Sequence, residues 1–358
     1  MTETFIIAEI GVNHNGSIDL AKELIKVAAD AGANAAKFQT FKTEKLVAKK
    51  APKADYQCLT TDSNETQHEM LKKLEFSFQE FAALSNDCRQ QDIMFLSTPF
   101  DEDSLFYLSN DLNVPYIKIP SGELTNAPFL LCAARTGKPI ILSTGMSTLG
   151  DIEAALGVLA YGYMSQTEPS GISAFQKAYS SLAGQEVLKK NVVLLHCTTE
   201  YPAPFAEVNL KAMDTLGQAF GLPVGYSDHT AGIAVSIAAV ARGAVVLEKH
   251  FTLDRNLPGP DHQASLEPEE LKNLVRSVRE VEQALGDGRK SPTPAELRNR
   301  LIARKSLVAA RKIAYGEPFT AENVTCKRPG DGVSPLYYWE CLDRKAQRDF
   351  DKDEKIEL

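Results

Sequence analysis

The sequence predicts an α/β chain: a (β/α)8 TIM barrel followed by a small C-terminal domain. Three observations carry that expectation. Eight short apolar, β-branched runs recur within the first 252 residues. Segments of helical spacing lie between them, and the polar residues of the runs collect at their C-terminal ends. Strand alternating with helix implies right-handed βαβ units and therefore a parallel sheet. A chain of 358 residues has room for such a barrel and a small domain besides.

The first unit is FIIAEIG (5–11), the helical spacing of IDLAKELIKVAADAG (18–32), and AAKFQT (35–40). The longer EMLKKLEFSFQEFAALSNDCRQQ (69–91) holds more than one turn of helix plus a break, and leads to IMFLSTPF (93–100). YIKIPSG (116–122), PIILSTG (139–145) and VVLLHCTT (192–199) follow. PVGYSDHT (223–230), the helical AGIAVSIAAVARG (231–243) and AVVLEKHFT (244–252) complete the set, and a helix at 267–285 closes the barrel. GDGRKSPTPAELRNR (286–300) is rich in Gly, Pro and charge and reads as a linker. The rest, 301–358, has short strands and turns and is of marginal size for an independent domain. The expected division is thus 1–285, a linker at 286–300, and 301–358.

Composition narrows the function. With 39 Lys and Arg against 47 Asp and Glu, the net charge of −8 argues against nucleic acid as a partner. No segment approaches the roughly 20 apolar residues that span a bilayer, and MTETFIIAEIG lacks the basic start of a signal peptide. The six scattered cysteines contain no CxxC pair and fit reduced packing residues of a cytoplasmic protein. Cys197, beside His196, reads as a buried small hydrophobe. Neither GxGxxG nor GxxxxGK[ST] is present, so no nucleotide loop is expected.

The polar ends of the strands point to chemistry, because in a barrel they share one face and active sites sit there. His229 and His250 finish adjacent strands and could supply two nitrogens to a divalent ion, leaving positions for water and substrate. Asp228 and Glu248 could orient those rings or point away; the bland alternative is a pair of core histidines. His196 is a third candidate, differently placed in its strand. Lys37 and Lys118, with Thr98, Ser121, Ser143 and Ser227, would cradle a compact polyanion such as a phosphate plus a carboxylate. Internal pairing of the lysines with Glu9, Glu123 or Glu248 is the alternative. One of Glu9, Glu123 and Asp261 could act as general base or bind hydroxyls, and the residues alone do not choose. The residues thus point to a metal-dependent barrel enzyme acting on a phosphorylated or carboxylated small molecule, with aldol chemistry, isomerisation and hydrolysis all open.

At these same stretches the sequence resembles the bacterial sialic acid synthase family. The matching segments are IAEIGVNHNG, AKFQTFK, FLSTPFDEDS, KIPSGELTN, ILSTGM, HCTTEYPAPF, GYSDHT, EKHFTLD and PGPDH, and the C-terminal KRPGDG resembles the family's antifreeze-like (SAF) domain. The resemblance implies condensation of phosphoenolpyruvate with an N-acetylmannosamine-type aldehyde, with phosphate leaving by C–O cleavage. It implies that His229 and His250 bind Mn2+, or Mg2+ or Co2+ in its place. It places Lys37, Thr98, Lys118, Ser121, Ser143 and Ser227 around phosphoenolpyruvate, and Gln39, Glu123, Tyr201 and Asp261 around the sugar. Glu9, and Glu123 beside its sugar role, become the candidates for proton handling. Arg328, in the KRPG turn, would reach the sugar of a partner subunit in a domain-swapped homodimer; without the resemblance it reads as a solvated turn residue. Thr199 stands where some members carry an asparagine, and no role passes to it. HCTTEYPAPFAEVNLKAM, with GPDH and ADYQ, is most similar to the legionaminate branch, which uses a 4-acetamido, 6-deoxy sugar. The neuraminate and pseudaminate branches, a barrel relative making a shorter keto sugar acid, and an inactive sugar-binding homologue remain alternatives.

Overall fold

A computed structural model describes residues 3–358 except 55, 56, 59, 60, 63 and 64. Asp55 and Tyr56 of the ADYQ motif therefore lie outside the described residues. The chain divides into two compact units, Met1–Gly286 and Asp287–Leu358.

The first unit holds eight strands: β1 (Phe5–Gly11), β2 (Ala35–Thr40), β3 (Met94–Pro99), β4 (Ile117–Ile119), β5 (Ile140–Ser143), β6 (Val192–Cys197), β7 (Val224–Asp228) and β8 (Val246–His250). They pair in parallel in the order β3-β2-β1-β8-β7-β6-β5-β4. β3 and β4, the ends of that order, lie side by side and complete the ring without a backbone ladder between them. Each expected run contains its strand, but several are shorter than the run. The polar tails, such as Ser121 and His229, sit just past the last ladder bond, at the start of the mouth loops.

Helices cover the outside of the ring, and local chemistry sets their ends. Segment 69–91 splits into Gln67–Lys72 and Phe78–Gln90, because Thr66 with Glu69 and Ser77 with Glu80 each form a capping box. Pro268 opens the closing helix, Pro268–Leu285, where a missing N–H costs nothing. The connection from β5 to β6 carries three helices, Leu149–Met164, Ile172–Ser180 and Leu182–Asn191, which the sequence reading left unassigned. The main core lies between sheet and helices and includes Ile6, Ala8, Phe38, Leu142 and Leu247. No helix among the described residues is long and apolar enough to cross a membrane.

The second unit pairs β9 (Ser306–Ala309) antiparallel with β10 (Val324–Lys327). Its core gathers Leu307, Ile313, Phe319, Val324, Phe350 and Ile356. The helix Pro294–Ala303, capped by Thr293 and Glu296, runs from the stretch expected as linker into this unit.

Candidate active site

Alternation along the strands builds the site. Inside the ring, Ile7, Ala35, Leu96, Ile141, Leu195 and Val246 form an apolar belt. Side chains two residues further along a strand point the same way, so the next inward position of β1, β2, β3, β5 and β8 is Glu9, Lys37, Thr98, Ser143 and Glu248. Lys118 of β4 and Ser227 of β7 join them, and all line one cavity of about 290 Å3. One step higher come Gln39, His229 and His250, also on that cavity. The packed barrel interior thus changes from hydrocarbon to charge in a single step of the strands.

The charged step is almost fully buried: Glu9, Lys37, Lys118 and Glu248 are 1%, 2%, 3% and 4% exposed. The Lys37 ammonium lies 2.6 Å from Glu9 and 3.4 Å from Glu248, and donates to Thr98 Oγ1 at 2.9 Å. Lys118 lies 3.5 Å from Glu248 and donates to Ser143 Oγ at 2.8 Å. Ser227 Oγ donates to Glu248 at 2.9 Å. Glu248 is therefore shared by both lysines. The internal pairing expected as the alternative is present, and so is the row of hydroxyls expected for a cradle. Burial pushes the Glu9 carboxyl up to about 7 against the pull of Lys37. Burial pushes Glu248 the same way, but Lys118 and Lys37 together hold it well below the usual carboxylate range.

Above the floor, the His229 and His250 rings lie 5.7 Å apart. His229 Nδ1 faces the Thr198 carbonyl at 2.6 Å. A carbonyl only accepts, so Nδ1 carries the hydrogen and Nε2 presents its lone pair to the cavity. His250 Nδ1 is buried without a hydrogen bond, and the Asp261 carboxylate stands 3.8 Å from it. Burial keeps both rings neutral, lowering His229 to about 4 and His250 well below its ordinary value. Neutral imidazoles with available lone pairs suit a divalent ion. Among the described residues no group of three or more His, Cys, Asp or Glu surrounds a common point. The chain itself thus offers two nitrogens, which fits an ion that keeps positions for water and substrate. Tyr201 covers the pair, its ring 4.1 Å from His229 and edge-on to His250 at 5.6 Å. Burial raises Asp261 to about 6.

The remaining candidates divide. Ser121 accepts the Gly145 N–H at 3.0 Å and lies 3.2 Å from Cys197 Sγ. That approach needs a glycine, since a Cβ on residue 145 would come within 2.4 Å of Thr199 Oγ1 and 2.9 Å of Ser121 Oγ. Glu123 is not part of the cavity wall, and its carboxylate accepts from Asn126 Nδ2 at 2.6 Å. Arg328 lies in the C-terminal unit, exposed, its Nε donating to the Ala303 carbonyl at 2.9 Å.

Alternation also sorts the neighbours of the histidines. Asp228 faces outward and accepts from Thr230 and Ser236, with Lys249 at 3.1 Å. Glu248 points into the ring but one step below the imidazoles, so neither acid orients a ring. His196 also faces out, against the Val208 carbonyl at 2.7 Å, and does not join the other two. The sequence reading missed the wall formed by Leu46, Val47, Met70, Leu71 and Phe100, which also borders the cavity. An apolar run in a mouth connection carries no periodic signal to announce it.

Comparison with known proteins agrees with this geometry. Residues 24–290 match the NeuB family and residues 304–356 match the SAF domain. An N,N'-diacetyllegionaminic acid synthase of Campylobacter jejuni is 50% identical over 99% of this chain and 99% of its own length. One from Legionella pneumophila is 46% identical over 92% of this chain and 87% of its own. The crystal structure of an N-acetylneuraminic acid synthetase from Leptospira borgpetersenii, in complex with citrate, superposes with a TM-score of 0.66 at 34% identity. That alignment covers 83% of this chain and 90% of the other. A (β/α)8 barrel with this polar mouth, followed by a SAF domain, makes the chain a member of the NeuB family.

Proposed function

We propose that the chain joins phosphoenolpyruvate to 2,4-diacetamido-2,4,6-trideoxymannose, giving N,N'-diacetyllegionaminic acid and phosphate. The vertical order of the cavity carries the reading: two lysines set on hydroxyls at the floor, and two neutral imidazoles one inward position above. The 50% identity with the Campylobacter synthase supports the choice of sugar.

Lys37 with Thr98, and Lys118 with Ser143, hold the phosphate and carboxylate of phosphoenolpyruvate, with Ser121 and Ser227 as further donors. The entering anion takes over the ammonium groups that Glu9 and Glu248 now face. C3 of the enolpyruvate attacks the aldehyde carbon and forms the new C–C bond. Water adds at C2, and the C2–O bond to phosphate breaks to leave the ketone. One proton of that water passes through Glu9 to the former aldehyde oxygen, and the other leaves with phosphate. His229 and His250 hold a divalent ion, Mn2+ or in its place Mg2+ or Co2+, which when bound supplies Lewis-acid polarisation of the aldehyde oxygen. Gln39, Tyr201 and Asp261 orient the sugar, and Glu123 meets it from the rim. Arg328 contacts the sugar of a partner subunit in a domain-swapped homodimer, and the enzyme works in the cytoplasm.

Incubation with phosphoenolpyruvate, Mn2+ and either the trideoxy sugar or N-acetylmannosamine tests the reading. Phosphate release and product mass are followed in both. Faster turnover of the trideoxy sugar, abolished by chelation and restored by Mn2+, is expected. Phosphate release with neither sugar overturns the reaction.

A further inference from the structure

The cavity has a wall to which the proposed chemistry gives no task. Leu46 and Val47 follow β2, Met70 and Leu71 belong to the helix Gln67–Lys72, and Phe100 ends the β3 run. Leu46, Leu71 and Phe100 pack on a buried cluster of Val12, Phe41 and Leu74. The wall is thus rooted in a small core of its own. In the ring order β7-β8-β1-β2-β3, β3 stands across the mouth from β7, the strand that delivers His229. Gln67 also reaches this side of the cavity.

The two sides of the mouth therefore differ in kind. Charge, hydroxyls and imidazoles occupy the floor and the β7–β8 side, and hydrocarbon interrupted by the amides of Gln57 and Gln67 faces them. A sugar whose aldehyde carbon lies at the imidazoles and whose chain is laid across the mouth brings its far end to this wall. N-acetylmannosamine ends there in a C6 hydroxyl. The trideoxy sugar ends in a methyl group and carries an acetamide at C4. Methyl groups gain from leaving water against leucine and methionine carbons, whereas a hydroxyl there loses hydrogen bonds to water. The Gln67 carboxamide offers both a donor and an acceptor to an acetamide.

We infer that Leu46, Val47, Met70, Leu71 and Phe100, with Gln67, form the specificity wall that selects a 6-deoxy, 4-acetamido sugar over one with a C6 hydroxyl. The inference rests on the proposed reaction and adds to it the residues that choose the substrate. An apolar pocket rejects an added hydroxyl by about 100-fold at most, which bounds the preference this wall can give.

The test compares kcat/KM for the two sugars at saturating phosphoenolpyruvate in the unaltered enzyme, Leu46→Gln and Leu71→Gln. Both leucines are only partly buried, and an unfolding temperature for each variant establishes that it is folded. The preference for the trideoxy sugar is expected to fall about 10-fold in each variant, with KM for phosphoenolpyruvate unchanged. If either glutamine destabilises the fold, Gln67→Ala is read in the same way through the C4 acetamide. An unchanged ratio of the two kcat/KM values in folded variants overturns the wall and leaves the reaction standing. Phosphate release with neither sugar in the unaltered enzyme removes the reaction, and the wall with it.

Discussion

Both units pair charges on their surfaces, but among the described residues the barrel also buries them. In the barrel, the side chains of Lys37, Lys118, Glu9 and Glu248 keep 2–5% of their surface exposed where they meet. In the C-terminal unit, Arg348 pairs with Glu354 and Glu357 with 39%, 39% and 72% exposed. Lys327 with Asp353 and Lys355 with Asp331 follow the same surface pattern. Exposed pairs gain little, because water and salt screen them and the side chains lose freedom. Buried pairs cost desolvation that their mutual attraction repays only with good geometry. Stability alone does not account for four charges under the mouth of a barrel. Their presence there is understood if an anion is meant to arrive.

The largest test of this contrast is Glu248→Gln. It leaves two buried ammonium groups without their shared carboxylate, and barrel stability is expected to fall by about 3–5 kcal/mol. Added phosphoenolpyruvate should recover part of the loss by supplying the missing negative charge. Denaturant unfolding with and without the ligand measures both, and a loss below about 1 kcal/mol would mean the cluster is solvated like a surface pair. His250→Ala comes next: turnover is lost and bound divalent metal falls, while the circular dichroism spectrum stays that of the intact fold. Full activity in that variant would return His250 to the status of a core residue.

A pH experiment sharpens the comparison further. All six histidines belong to the barrel unit and none to the C-terminal one. Burial lowers His14 to about 3, with His262 nearby adding to the effect, and burial lowers His262 itself to about 4. A folded value below the unfolded one means stability that is present above about 6.5 and lost as pH falls toward the folded value. Glu9 and Asp261, raised to about 7 and about 6, act the other way over this range, but the lowered imidazoles of His14, His229, His250 and His262 outnumber them. Amide exchange, corrected for its intrinsic pH dependence, should therefore show a net fall in barrel protection between pH 7 and 5. The C-terminal unit should hold its protection over the same range. Equal losses in both units would place the acid sensitivity elsewhere. The smallest effect is expected from Glu354→Gln, which should leave the unfolding temperature unchanged.

Much of this arrangement was legible in the sequence, and physics explains where legibility ended. The eight runs announced themselves because β-branched residues bounded by turns recur between helical segments. The mouth was legible because their polar ends coincide. Alternation along the strands turns Asp228, beside the inward His229, and His196, beside the inward Leu195, away from the cavity. Other facts needed the closed ring. That Glu248 serves both Lys37 and Lys118 depends on strands far apart in sequence, and no local pattern encodes it. Glu123 accepts from Asn126, three residues away, a local bond that a sugar arriving at the rim would have to share or replace.

The seam between β3 and β4 has a mechanical consequence. Seven junctions of the ring are stitched by backbone ladders, and the eighth is held only by packing. The barrel is in effect a split ring, and Thr98 and Lys118 stand on its two lips. A split ring changes its bore by bending at the gap, without breaking a stitch. Compliance is therefore concentrated between the two neighbouring strands that carry Thr98 and Lys118, while the other seven junctions stay stitched.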